Sequence, residues 1–231
     1  MPTPATEDYL KAIYKLLENS EPASTNAVAD SMRVSAASVT NMMKRLSEMG
    51  LVEHQPYQTI RLTEAGRKIA LEIIRHHRLL EVYMAEALGF TWDQVDAEAE
   101  RLEHVISEEF EDKIDAMLGY PTTDPHGSPI PQKDGSIAST NHDRLSEIEP
   151  GNTVIIRRVA DTDPALLRYL AKLGLRPDNR VDVMNKEPFE GPMFVKVEGD
   201  THHVGQQVAS NVLVECLAVE NADRGINPVK I

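Results

Sequence analysis

The stretch Asp96-Ala-Glu-Ala-Glu100-Arg-Leu-Glu103-His104 concentrates metal-binding chemistry. On a helix, spacings of three, four, and seven or eight put Asp96, Glu100, Glu103 and His104 on one face. Three carboxylates sharing a face repel each other, and a divalent cation removes that penalty. Carboxylate oxygens with one imidazole suit a manganese-like or iron(II)-like ion. A solvated acidic helix would show the same pattern, and spacing alone leaves both readings open.

The elements around this face follow from periodicity. Thr91 is placed to cap the helix that carries it, running to about Gly119-Tyr-Pro. A long helix precedes it, Thr63 to about Leu88, with Ile69, Ile73, His77, Leu80 and Met84 near one stripe and Gly89 as the break. Further upstream, Leu10, Ile13, Tyr14 and Leu17 mark a helix from Thr6 to about Glu18. Ser24 or Thr25 caps a second helix to Met32, Arg33-Val34 turns, and Ser35 caps a third that runs to Met49 and stops at Gly50. Val52-Glu-His and Ile60-Arg-Leu read as short strands around a loop. Tyr120 to His142 holds four prolines and two glycines and reads as a linker. Beyond Arg144, Thr153–Arg157, Arg180–Met184, Met193–Val197 and Val208–Leu217 alternate like strands, interrupted by a helix from Pro164 to Lys172. The expected fold is mainly α with a β-rich C-terminal domain, divided at 1–63, 64–142 and 143–231.

Composition bounds the function. At 231 residues, 41% hydrophobic and 26% charged, the chain is ordinary for a globular protein with a real core. With no run of eighteen apolar residues and no signal peptide in Met1-Pro-Thr-Pro-Ala-Thr, it is expected to be cytoplasmic, without a membrane partner. The single cysteine, Cys216, rules out an intrachain disulfide and a thiolate-cluster metal site. Its alternating surroundings suggest a buried structural thiol. A net charge of −13 argues at first against nucleic acid, but the charge is uneven. Residues 1–75 carry nine Lys/Arg against nine Asp/Glu, whereas 76–117 carry three against twelve. Phosphate contact needs only a local basic surface, and the acidic middle is suited to cations.

Helix, tight turn, Ser-capped helix, Gly stop and hairpin is the layout of a winged helix-turn-helix. In the third helix Val39, Met42, Met43 and Leu46 can pack inward. Ser35, Ala37, Ser38, Thr40 and Asn41 offer small or polar groups to the major groove, with Asn41 able to pair with adenine. Arg33 at the turn, Lys44 and Arg45 further along, and Tyr57 and Arg61 in the wing complete the expected contacts. The expected partner is double-stranded DNA with a palindromic operator, bound by a homodimer.

At this point the chain resembles the diphtheria-toxin-repressor (DtxR-type) family of metal-activated transcriptional regulators. The resemblance is carried by Thr6-Glu-Asp-Tyr-Leu-Lys-Ala-Ile-Tyr, Ser35–Leu46, Leu62-Thr-Glu-Ala-Gly-Arg, His77-Arg-Leu-Leu-Glu81, Glu100-Arg-Leu-Glu-His104 and Asp124-Pro-His-Gly-Ser-Pro-Ile-Pro, in family order. It implies a DNA domain, a helical metal-binding and dimerisation domain, and a small FeoA-like β-barrel. It also implies two metal sites. One would take Asp8 with Glu100, Glu103 and His104, so that the ion clips the DNA domain to the dimer domain. The other would take His77, Glu81 and Asp96. Lys11 departs from the family's manganese pattern, which has a glutamate there. Where iron regulators draw ligands from the barrel this chain matches Arg158 and Asp161, and only Asp161 can bind metal. The family's iron members have Met and Cys in place of Asp8 and Glu100; the harder set here favours Mn(II), with Fe(II) as a second activator. The implied output is repression of metal-uptake genes.

Other histidines carry less: His126 reads as part of a structural turn, His202-His203 as a surface loop, His76 as turned away from the face of His77, and His54 as lying by the wing. An enzyme is disfavoured, because zinc peptidases need two histidines around a glutamate and Glu-x-x-Glu-His has one. A winged-helix regulator sensing an organic ligand remains the other reading.

Overall fold

Tyr9, Leu10 and Ile13 lie on the buried side of the first helix, α1 (Pro4–Glu18), and join a core with Val28, Val39, Met43 and Leu46. The computed structural model describes residues 2–18, 21–53, 59–139 and 141–217. Two units divide the chain, 1–139 and 140–231. In α2 (Thr25–Met32) the Ser24 hydroxyl accepts from the Ala27 amide, and Arg33 ends the helix in the left-handed region at φ 54°. α3 (Ala36–Glu48) starts with the Ser35 hydroxyl accepting from the Ser38 amide at 3.1 Å, satisfying an otherwise orphaned donor. β1 (Val52–Glu53) and β2 (Arg61–Leu62) pair antiparallel, Val52 opposite Leu62. His54 and Tyr57, expected around the wing, fall outside the described residues.

α4 (Glu64–Ala87) is capped by Thr63, whose hydroxyl accepts from Gly66 and donates to the Gly50 carbonyl. The reading helix's stop is thereby tied to the start of the long helix. The helix expected from Thr91 to Gly119 is in fact two, α5 (Val95–Leu102) and α6 (Glu108–Met117). Thr91 does not cap α5, which begins after Gln94 without a side-chain cap. Ser107 caps α6 by accepting from Phe110, so the chain turns at Glu103–Ile106 instead of continuing. The expected linker is also partly folded: Asp124, His126, Ser128 and Ile130 are buried. The carbonyls of Pro129 and Pro131 accept from arginines of α4, Arg78 and Arg75 respectively.

In the second unit, β3 (Asp143–Arg144), a 3-10 turn at Leu145–Glu147, β4 (Thr153–Val159), α7 (Pro164–Lys172), β5 (Arg180–Lys186), β6 (Met193–Val197), β7 (Asp200–Val204), α8 (Gln206–Ala209) and β8 (Val212–Cys216) follow in order. The strands form one antiparallel sheet, β3-β8-β4-β5-β6-β7, with register shifts in β4 and β5. This is the small FeoA-like β domain, over a core of Val154, Ile156, Leu167, Leu170, Val181, Val195 and Val214. His202-His203 belongs to β7 rather than a loop, and the last strand starts at Val212, after a turn of helix. Cys216 shares the inward phase of Val212 and Val214 but closes the strand and is exposed, so it is not a buried thiol. Among the described residues, no helix is long and apolar enough to cross a membrane.

A β-carbon on Gly66 would run into the Leu51 carbonyl. Gly66→Ala should therefore cost roughly 1–3 kcal/mol as backbone is pushed aside. Urea denaturation checks this, and an unchanged midpoint would contradict the close approach.

Candidate metal centre

Three helices bring the ligand residues together. α1 sets Asp8 and Lys11 one turn apart while Leu10 and Ile13 anchor it in the core. α4 sets His77 and Glu81 one turn apart, and α5 carries Asp96 and Glu100. The turn that ends α5 then swings Glu103 and His104 toward α1. Two groups result that share Glu103: Asp8, Glu103 and His104, and beside them His77, Glu100 and Glu103.

The first group is arranged around the His104 imidazole. Its Nδ1 lies 2.7 Å from Glu7 Oε2. A carboxylate only accepts, so Nδ1 donates. Nε2, on the other edge of the ring, lies 2.8 Å from Asp8 Oδ1 and 3.5 Å from Glu103 Oε1. Asp8 Oδ1 is buried without a hydrogen-bond partner among the described residues. Burial pushes the Asp8 carboxyl up, against the pull of His104, and the neighbouring Glu100 and Glu103 push it further. Asp8 and Glu103 crowd two carboxylates against one edge of the imidazole, negative charge that a divalent cation there would offset, and a carboxylate behind the imidazole is the usual support for a metal ligand. The donor set fits a divalent ion.

The second group already holds a cation. Lys11 is buried, and its Nζ donates to Glu100 at 2.7 Å and to both Glu103 oxygens at 2.6 and 2.8 Å. Burial lowers its ammonium pKa, but Glu103 and Glu100 outweigh that and raise it. His77 stands beside it, Nδ1 2.5 Å from Glu103 and Nε2 3.3 Å from Asp96. Burial and Lys11 oppose its protonation, yet Asp96, Glu103 and Glu81 hold the imidazolium up to about 10. Burial pushes Glu103 up as well, but His77 and Lys11 bring its carboxyl below the ordinary value.

A third group was not legible as one: Glu81, Asp124 and His126, all buried. His126 Nε2 lies 2.7 Å from the Trp92 carbonyl, so it is the donor. Its Nδ1 lies 3.6 Å from Glu81 Oε1 and 4.0 Å from Asp124 Oδ1. Both Glu81 oxygens, Asp124 Oδ2 and His126 Nδ1 have no hydrogen-bond partner among the described residues. Burial is the main reason the Glu81 carboxyl is pushed up. This group also fits a divalent ion. Asp124 is positioned by amides of His126 and Ser128 donating to its Oδ1, a local turn that has no helical or strand period to reveal it.

The residues expected in the two centres are brought together with one difference, at Glu100. Asp8, Glu103 and His104 converge, while the half-exposed Glu100 is turned to Lys11. His77, Glu81 and Asp96 do come within ligand distance of one another. Asp161 lies in the second unit, between β4 and α7. Glu7 was missed, although its place beside Asp8 could have suggested it. His76 points away from this cluster: its Nδ1 donates to the Glu103 carbonyl at 3.1 Å, and its Nε2 sits 3.3 Å from Glu111.

On the reading helix Ser35, Ala37, Ser38, Asn41, Lys44 and Arg45 are exposed, as are Arg33 and Arg61. Thr40 is half-buried and its hydroxyl donates to the Ala36 carbonyl. Val39, Met43 and Leu46 form the buried side.

Residues 1–60 match the iron dependent repressor N-terminal DNA binding domain, 63–132 the iron dependent repressor metal binding and dimerisation domain, and 144–216 the FeoA domain. The iron-dependent repressor IdeR of Mycobacterium leprae (strain TN) is 33% identical over 190 residues, 77% of this chain and 83% of its own. A solved manganese-dependent transcriptional repressor in complex with manganese superposes with a TM-score of 0.86 at 38% identity, covering 92% of this chain and 100% of that one. The manganese regulator SloR superposes at 0.76 with 33% identity, covering 94% and 100%.

Glu111 secures the Glu103 backbone through His76. Burial pushes its carboxyl up, but His76 and Arg75 outweigh this and hold it at about 2, against an ordinary 4.5. A depressed folded-state pKa stabilises the fold above the unfolded value and loses that effect as pH falls toward the folded one. The stability gap between wild type and Glu111→Gln should thus be full above about pH 5 and close between about 4.5 and 2. Urea denaturation at pH 7 and pH 3 measures it; a gap unchanged at pH 3 would contradict the ion pair.

Proposed function

We propose how this chain, which belongs to the diphtheria-toxin-repressor (iron-dependent repressor) family and is a metal-activated DNA-binding repressor rather than an enzyme, couples metal to DNA. Asp8, Glu103 and His104, with Glu100 alongside, hold one divalent ion. The observation that carries this is Asp8 Oδ1, buried without a hydrogen-bond partner among the described residues and 2.8 Å from His104 Nε2, with Glu7 holding the ring from its other edge. A divalent ion there supplies the positive charge that two or three crowded carboxylates need. Asp8 belongs to the reading domain, 1–63, and its partners to the helical domain, 64–142. Joining them restrains α3 in the orientation that reads DNA and raises the population of that state.

The protein acts as a homodimer on DNA. Two copies of α3 related by a two-fold axis would read the half-sites of a palindromic operator. Asn41 and the small residues Ala37 and Ser38 approach base edges, while Arg33, Lys44, Arg45 and Arg61 hold phosphates. Glu81, Asp124 and His126 hold a second ion, a reading supported by their convergence and by the buried Glu81 oxygens, Asp124 Oδ2 and His126 Nδ1 that have no hydrogen-bond partner among the described residues. His77 and Asp96 flank that centre, with His77 serving mainly as an internal cation.

The carboxylate and imidazole ligands are hard, which favours Mn(II), with Fe(II) as a weaker activator. Equal DNA affinity with Fe(II) and Mn(II) at matched free concentrations would remove that preference. Metal is expected to raise operator affinity by about 5–150-fold, the usual range of coupling between two sites. Asp8→Ala should bring this ratio to about 1 in salt-matched gel shifts against genomic fragments. A ratio equal to that of wild type would refute the clip. His126→Ala should lower the bound Mn(II), counted by elemental analysis after dialysis, by one ion per chain; an unchanged count would remove the second centre.

A further inference from the structure

The cation on Lys11 is held where a neighbouring metal would otherwise sit. Its Nζ lies within 2.8 Å of Glu100 Oε2 and of both Glu103 oxygens, and 3.1 Å from His77 Nδ1. Those three residues form a ligand group of their own, and it shares Glu103 with the Asp8–Glu103–His104 group. A shared carboxylate is the usual bridge in paired-metal sites, whose ions lie roughly 3.5–4 Å apart. The backbone here therefore builds two adjacent cation positions, one of which is taken by the chain itself.

We propose that Lys11 is a tethered cation that limits the Asp8 centre to a single divalent ion. Charge supports this. Asp8, Glu100 and Glu103 carry three negative charges, against which stand the Lys11 ammonium, the His77 imidazolium and one divalent ion. A second divalent ion would add two uncompensated positive charges to that pocket, where such charge is costly. Replacing Lys11 by glutamate brings the total with two ions back to that of wild type with one, and replacing it by glutamine vacates the position at similar length. Lys11 is a positioning residue: it sets how many ions the centre takes and holds Glu100 and Glu103 for the one it admits. An ordinary buried ion pair would have the same contacts but no effect on ion count.

This inference rests on the proposed metal centre. Its test is Mn(II) titration of the full-length protein, with bound metal counted by elemental analysis and electron paramagnetic resonance recorded at each step. Wild type should show only uncoupled Mn(II), even at saturation. Lys11→Glu should take one further ion per chain and develop the exchange-coupled signal of a carboxylate-bridged pair. Lys11→Gln should do the same at higher free Mn(II), and serves if the glutamate variant does not fold. A coupled signal in wild type would overturn the proposal. So would folded Lys11 variants that bind only the wild-type complement, in which case the metal centre stands and the role of Lys11 falls. If wild type itself takes no Mn(II), the centre fails and the inference falls with it.

Discussion

Glu103 is a carboxylate with no exposed side-chain surface, and the first unit is arranged around neutralising it. Lys11 from α1, His77 from α4 and His104 from its own turn converge on its two oxygens. A buried ion left without these partners would cost several kcal/mol, so the helices that supply them are not independent of one another. His76 fixes the Glu103 backbone in turn, and Arg75 and Glu111 fix His76.

Because Lys11 and Asp8 sit one turn apart on α1, the compensation of Glu103 is also a connection between the DNA-reading elements and the acidic helix. α1 packs Leu10 and Ile13 into the core that supports α3, while its other side meets α4 and α5. A change of charge at Asp8 is therefore felt by the helix on which α3 rests. The ammonium of Lys11 maintains part of that connection by itself, and in the proposed clip a metal would add to it.

Much of this was legible in the residues. Helical periodicity, with a cap at Ser24 or Thr25 and another at Ser35, placed the winged helix-turn-helix, because each cap satisfies amides whose need is local, and periodicity alone placed the long helix. The single helix read from Thr91 to Gly119 failed because its break depends on Ser107 capping a new helix and on Glu103 turning toward α1, a gain made in tertiary contact. The 120–142 segment looked like a linker since prolines and glycines dominate it. Its burial depends on Arg75 and Arg78, distant in sequence, accepting the role of donors to its carbonyls. Cys216 was misread because strand alternation gives the phase of a side chain and not whether anything covers it.

For the metal chemistry the division is similar. The sequence by itself determined which ligand types exist, that Glu100, Glu103 and His104 lie close along the chain, and that Asp8 could join them, since these follow from composition, spacing and resemblance. Only the tertiary structure decided how they are shared. It turned Glu100 toward Lys11, supplied Glu7 to orient the His104 ring, and brought Asp124 and His126 to Glu81. The physical reason is that a buried charge is neutralised by whatever group three-dimensional packing places within reach, and that proximity is not written in sequence spacing.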